Sequence, residues 1–73
     1  MTSPVETEGA IIVNGAPSAV AAATLADLLS VLGFAGQRVA TAVNGDFVPE
    51  RARGETRLAA GDRVEIVSAR QGG

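Results

Sequence analysis

Residues 24–33 read TLADLLSVLG, and this stretch decides the fold. Four leucines are spaced as one face of an α-helix: Leu25, Leu28, Leu29 and Leu32. Thr24 suits the N-cap of that helix, and Gly33 can end it in the left-handed conformation. The alanines at positions 21–23 could extend the helix backwards, so the pattern leaves its start open. Because the leucine face must be buried, the stretch predicts a helix that packs on another layer.

Two Asn-Gly pairs flank this helix in the sequence. Asn14-Gly15 separates IIV from APSAV, and Asn44-Gly45 separates VATAV from DFV. Both residues of such a pair tolerate the positive φ of a type I′ turn, so each pair predicts a tight β-hairpin. Pro17 cannot donate a ladder hydrogen bond, which suits the second arm of the first hairpin to a sheet edge.

The stretch ERARGETRL, residues 50–58, is charged and carries three of the chain's arginines, Arg51, Arg53 and Arg57. Charged runs of this kind are usually solvated. We therefore expect a solvated loop here, with a docking role for its arginines left open.

RVEIVSA, residues 63–69, follows a Gly61-Asp62 turn and is typical of a half-buried strand. Val64 and Ile66 alternate with charged residues, which predicts one buried face. Val67 and Ala69 fall on the opposite side. We expect them to leave an exposed apolar patch that could dock a partner.

The predicted element order is hairpin, helix, hairpin and last strand. One helix on one face of a small mixed sheet buries the leucine face economically. The first hairpin and the last strand are then central, joined by a right-handed crossover. The predicted fold class is α+β, a ubiquitin-like β-grasp. We expect a flexible leader over residues 1–9, the domain over 10–69, and a flexible tail over 70–73.

The composition excludes several classes of function. The 73 residues contain no Cys and no His, which removes disulfides, thiolate zinc sites and the commonest general base. A net charge of -2 does not suit a nucleic-acid binder, and no apolar run approaches the length of a membrane span. All six basic side chains are arginines, so there is no lysine to acylate. We expect a cytoplasmic, soluble protein without membrane or nucleic-acid partners, metal or catalytic residues of its own.

From Ala10 to Gly73 the chain resembles the thiazole-biosynthesis sulfur carriers, the ThiS family. The likeness rests on IIVNG, TLADLL, VATAVNGDFVPER, GDRVEIVSA and the final Gly72-Gly73, in that order. The similar small subunits of molybdopterin synthase typically carry prolines before their Gly-Gly, whereas this chain has IVSARQGG. Arg70-Gln71 departs from the small apolar pair expected in the thiazole branch.

This resemblance implies a chemistry for the C-terminus. The Gly73 carboxylate is adenylated by a ubiquitin-activating-like adenylyltransferase (ThiF-like), and a cysteine desulfurase relay then supplies the sulfur of a thiocarboxylate. Thiazole synthase (ThiG-like) consumes that sulfur. Gly72, Gln71 and Arg70 form the tail that reaches the partner. The carrier would bind no cofactor itself, because ATP is used by the adenylating enzyme.

Other functions remain open from the sequence. A related carrier could serve molybdopterin, cysteine or tRNA thiolation. The chain could also be a modifier that is conjugated through Gly73, or a β-grasp binding module. A binding module does not need the terminal glycine pair, which favours a carrier.

Overall fold

A computed structural model describes residues 10–20 and 22–68 of the chain. Its elements in chain order are β1 (Ile11–Val13), β2 (Ala16–Ser18), α1 (Leu25–Leu32), β3 (Val39–Val43), β4 (Asp46–Val48), the 3-10 helix η1 (Glu50–Glu55) and β5 (Arg63–Ser68). The leader expected at residues 1–9 and the tail expected at 70–73 lie outside the described residues, as does Ala69.

The strands form one mixed sheet in the order β2-β1-β5-β3-β4. β1 is parallel to β5, whereas the other neighbouring pairs are antiparallel. The α+β prediction, with a mixed sheet and one main helix, is confirmed. β5 is the central strand, as expected. The prediction that the whole first hairpin is central is wrong, because β2 lies at the edge of the sheet. Pro17 of β2 pairs with Ile12, and an edge strand suits a residue that has no N–H to donate.

Both predicted hairpin turns are present. The φ angles are 52° at Asn14 and 87° at Gly15, and 52° at Asn44 and 88° at Gly45, so both central residues of each turn have positive φ. This is the backbone of a type I′ turn, whose twist matches that of the flanking strands. The Asn-Gly pairs therefore set the register of β1 with β2 and of β3 with β4.

Helix α1 covers one face of the sheet. Leu25 and Leu28 are fully buried and Leu29 is nearly so, while Leu32 is half-buried against the same core. The buried core is completed from the strands by Ile11, Val48, Val64 and Ile66. The leucine face thus has the role that its spacing predicted.

The caps of α1 agree with the sequence. The Thr24 hydroxyl accepts a hydrogen bond from the backbone N–H of Asp27 at 3.1 Å, and Gly33 ends the helix with φ 92°. The preceding alanines do not extend the helix, because Thr24 is extended and bridges to Arg57. Within the described part of the chain, neither helix is long and apolar enough to cross a membrane.

The charged segment after β4 departs from the sequence prediction. Residues Glu50–Glu55 form η1 rather than an irregular loop. Its Arg53 is half-buried and donates hydrogen bonds to β3 instead of pointing into solvent. The sequence did not predict this contact, because a charged run normally indicates a solvated surface.

Candidate functional site

The candidate reactive residues follow directly from the central strand. Arg70, Gln71, Gly72 and Gly73 lie outside the described residues, so their proposed roles stay predictions. The structure does show the point from which they continue. Ser68 is the last residue of β5 and pairs with Val39, the first residue of β3. The described part of β5 therefore ends at the centre of the sheet, beside the start of β3.

The face of the sheet opposite α1 carries exposed apolar side chains. Val67 is 62 % exposed, as the alternation in β5 predicted, and Phe47 on β4 is 68 % exposed. Val67 pairs with Ala40, and Phe47 pairs with Ala42, so these four residues share one side of the sheet. Ala69, the other predicted docking residue, lies outside the described residues. We call the surface of Ala40, Ala42, Phe47, Glu65 and Val67 the open face.

Sequence reasoning missed Phe47. The signal was available, because Val48 is the next residue and successive strand residues point to opposite faces. Val48 is buried against α1, at 8 % exposure, which turns Phe47 to the other side. A large exposed aromatic on the same face as an exposed Val67, with β3 between them, makes this face a candidate surface for protein docking.

A groove of about 860 Å³ lies between the end of α1, the segment that leads into β3, and η1. Phe34 and Val39 contribute apolar surface to it, and Arg38, Arg53 and Glu50 contribute charge. Val39 lines this groove and is also the partner of Ser68. The groove therefore adjoins the end of the sheet from which residues 69–73 continue.

The polar groups of the described residues are satisfied within the fold. Every buried side-chain nitrogen or oxygen in residues 10–20 and 22–68 has a hydrogen-bond partner. Among these same residues, no group of His, Cys, Asp and Glu side chains could hold a metal ion. What this part of the chain offers is an exposed apolar surface and a strand end that the C-terminal residues follow in the sequence.

Comparison with known proteins identifies the family. The model of the ThiS family matches residues 11–73. The crystal structure of a thiamine biosynthesis protein (ThiS) from Geobacter metallireducens is similar at 34 % sequence identity and a TM-score of 0.73, over 88 % of this chain and 99 % of that one. No curated protein matches the chain. The β-grasp arrangement, the family match through the final glycine pair and this structural likeness agree, and the chain belongs to the ThiS family.

Proposed function

We propose that this chain is a sulfur carrier for the thiazole of thiamine. The observation that carries the proposal is the match to the ThiS family, which runs through to Gly73. The structural likeness to a thiamine biosynthesis protein supports the same assignment. In this proposal the folded domain is a protein cosubstrate, and the catalytic groups belong to its partners.

The proposed chemistry takes place at the Gly73 carboxylate. Its oxygen attacks the α-phosphate of ATP on an adenylyltransferase, pyrophosphate leaves, and an acyl-adenylate forms. The terminal sulfur of a persulfide on a cysteine desulfurase relay then attacks the carbonyl carbon and displaces AMP, which gives an acyl disulfide. A thiol of the relay attacks the relay-side sulfur of that disulfide, becomes part of a new disulfide, and releases the C-terminus as a thiocarboxylate. Since the chain contains no cysteine, a side-chain persulfide cannot carry the sulfur.

The sequence of the tail fits this use. Gly72 and Gly73 have no Cβ, so they can enter a narrow channel and bring the carboxylate to ATP without a steric clash. The four residues from Arg70 to Gly73 span about 13–14 Å when extended, which is enough to enter a neighbouring active site. ATP is bound by the partner in this scheme, and the carrier needs no cofactor of its own.

The open face is the proposed docking surface for the adenylating enzyme. Val67 and Phe47 supply exposed apolar area, and Val67 lies one residue before the end of β5. A partner that covers this face therefore contacts the strand that the reacting residues follow in the sequence. Ala69 stays a docking residue predicted from the sequence alone, because it lies outside the described residues.

The proposal is tested by the mass of the product. The chain is incubated with the adenylating enzyme, ATP and the sulfur relay, and the intact protein is measured by mass spectrometry. We expect one carboxylate oxygen to be replaced by sulfur, and the unmodified mass to return after thiazole synthase acts with its other substrates. A reaction without ATP is the control. An unchanged mass with an adenylating enzyme that is active on another carrier contradicts the proposal.

A further inference from the structure

Arg53 is fixed between η1 and β3 by two directed hydrogen bonds. Its Nη2 donates to the backbone oxygen of Val39 at 2.6 Å, and its Nε donates to the hydroxyl of Thr41 at 3.1 Å. Thr41 is 2 % exposed, and its hydroxyl donates in turn to the backbone oxygen of Val48 at 2.8 Å. The half-buried guanidinium is therefore held in one orientation, unlike that of a solvated surface arginine.

The bond to Val39 replaces a strand contact. β3 and β4 pair from Val43 with Asp46 to Thr41 with Val48. The same register would bring residue 50 opposite Val39, but the chain turns at Pro49 into η1. β4 has ended at this point, and the Arg53 guanidinium supplies the hydrogen-bond donor for the Val39 oxygen.

Val39 is also the partner of Ser68 in the last pair between β3 and β5. Residues 69–73 continue from that pair. Arg53 thus holds the β3 residue that lies opposite the origin of the C-terminal tail. Among the described residues, 39 and 68 are the last pair of this ladder, and the ends of ladders open first when a contact is lost.

We propose that Arg53 is a positioning residue for the reacting C-terminus: by bonding the Val39 oxygen, it anchors the start of β3 beside Ser68 and so fixes the origin of residues 69–73. This role rests on the proposed function, in which Gly73 reacts. Arg53 does not touch the reacting atoms and acts through Val39. It lies on the side of the sheet that carries the buried Thr41, so its substitution leaves the exposed side chains of Phe47 and Val67 themselves unchanged.

The expected effect is on rate rather than on docking. When the guanidinium is removed, the Val39 oxygen loses its donor and the end of β5 frays. A residue freed from the sheet must be ordered again in the partner's active site, and ordering one residue lowers the population of the reactive arrangement roughly tenfold. The reaction requires the attacking oxygen and the phosphorus to lie within about 3–3.5 Å.

Three variants separate positioning from stability. Arg53→Met keeps the aliphatic stem and removes the guanidinium. Arg53→Lys retains a charged hydrogen-bond donor on a slightly shorter side chain. Thr41→Val is the matched control, because it removes the hydroxyl bonds to Arg53 and Val48 and destabilises the core, yet leaves the bond from Nη2 to Val39.

ATP–pyrophosphate exchange is measured with the adenylating enzyme at increasing carrier concentration. We expect Arg53→Met to lower the maximal rate roughly tenfold with little change in the half-saturating concentration. Arg53→Lys should recover most of that rate, and Thr41→Val should remain close to wild type. A wild-type maximal rate in Arg53→Met, or an equal loss in Thr41→Val, would overturn the inference.

Amide hydrogen exchange gives a second measurement that does not depend on activity. In Arg53→Met the amides of Ala40 and Val67, which form a hydrogen-bonded pair next to Val39 and Ser68, should exchange about tenfold faster than in Thr41→Val. The amides of Ala42 and Glu65, the next hydrogen-bonded pair, should be unchanged between the two variants. Unchanged protection at Ala40 and Val67 contradicts the positioning role. A wild-type chain that supports no pyrophosphate exchange contradicts the proposed function instead.

Discussion

The side chain of Asn14 forms two hydrogen bonds with the backbone of Ile66, 52 positions later in the chain. Its Oδ1 accepts from the Ile66 N–H at 2.8 Å, and its Nδ2 donates to the Ile66 oxygen at 3.1 Å. The parallel pairing of β1 with β5 reaches Val13 opposite Val64. The Asn14 side chain extends this pairing by bonding the backbone as a strand residue would, and it ties the first hairpin to the central strand.

Asn14→Gly should therefore destabilise the protein although glycine suits the turn. Glycine adopts positive φ without strain, so the type I′ turn is retained. Both bonds to Ile66 are lost, and at about 0.5–1.5 kcal/mol each we expect the free energy of unfolding to fall by about 1–3 kcal/mol. Urea denaturation measures this change.

Asn44→Gly is the matched control for this prediction. Asn44 occupies the same turn position and bonds Asp62 and the Arg63 N–H, but these bonds are exposed to water. We expect a smaller loss of stability than for Asn14→Gly, because water can replace the missing partners. If Asn14→Gly lowers the free energy of unfolding by no more than Asn44→Gly does, the bonds to Ile66 do not stabilise the fold as expected.

Leu28→Ala tests the core beneath the sheet. Leu28 is fully buried, and removing its side chain leaves a cavity that a small core cannot refill. We expect the free energy of unfolding to fall by about 2–5 kcal/mol, which approaches the whole stability of a small domain. Val31→Ala on the same helix is the control, because Val31 is 59 % exposed. A loss below about 1 kcal/mol for Leu28→Ala would show that it is not a core residue.

Much of the fold could be predicted because its signals are local. The leucine spacing of α1, the Thr24 and Gly33 caps and the two Asn-Gly turns each depend on residues within a few positions of one another. The position of β2 at the edge follows from Pro17 alone. The structure of η1 could not be predicted from local signals. Its Arg53 is held by Val39 and Thr41 on β3, and such tertiary contacts leave no periodic pattern in the sequence.

The candidate site also combines features that local sequence signals predicted with features that they did not. The exposure of Val67 followed from alternation in a single strand. Phe47 lies on the same face as Val67 because both pair with β3. Phe47 pairs with Ala42, and Val67 pairs with Ala40, two residues earlier on that strand. That relation depends on the register of three strands. The roles of Gly72 and Gly73 came from the family resemblance, and their test is chemical.

Phe47→Ser and Val67→Ser should weaken docking to the adenylating enzyme without unfolding the carrier. Both side chains are largely exposed, at 68 % and 62 %, so we expect stability to change by no more than about 0.5 kcal/mol. If the open face forms the centre of the interface, each substitution should weaken binding to the adenylating enzyme by more than about 1 kcal/mol. Isothermal titration calorimetry and urea denaturation measure the two quantities.

Val31→Ser provides the control for this surface. Val31 is also exposed, at 59 %, but it lies on α1, on the other side of the sheet. Its substitution should leave the affinity unchanged. Equal losses of affinity for Val31→Ser and Val67→Ser would place the interface elsewhere.

Removal of Gly73 should separate docking from chemistry. The shortened chain would end at Gly72, about 3.5 Å short of the position that the reacting carboxylate occupies in the full chain. Because attack on the α-phosphate requires the reacting atoms within about 3–3.5 Å, we expect ATP–pyrophosphate exchange to be abolished. The calorimetric affinity should fall much less, since Phe47 and Val67 are untouched.

Gly72→Val should also impair activation, through steric bulk rather than chain length. It therefore tests whether the tail enters a narrow channel. The full length is kept, but a β-branched side chain restricts φ and adds bulk where the glycine pair has none. We expect exchange to be strongly reduced with affinity largely retained, whereas Gln71→Ala, one residue earlier, should keep most of the rate. If the chain without Gly73 supports exchange at the wild-type rate, Gly73 is not the reacting residue, and the sulfur-carrier proposal fails with it.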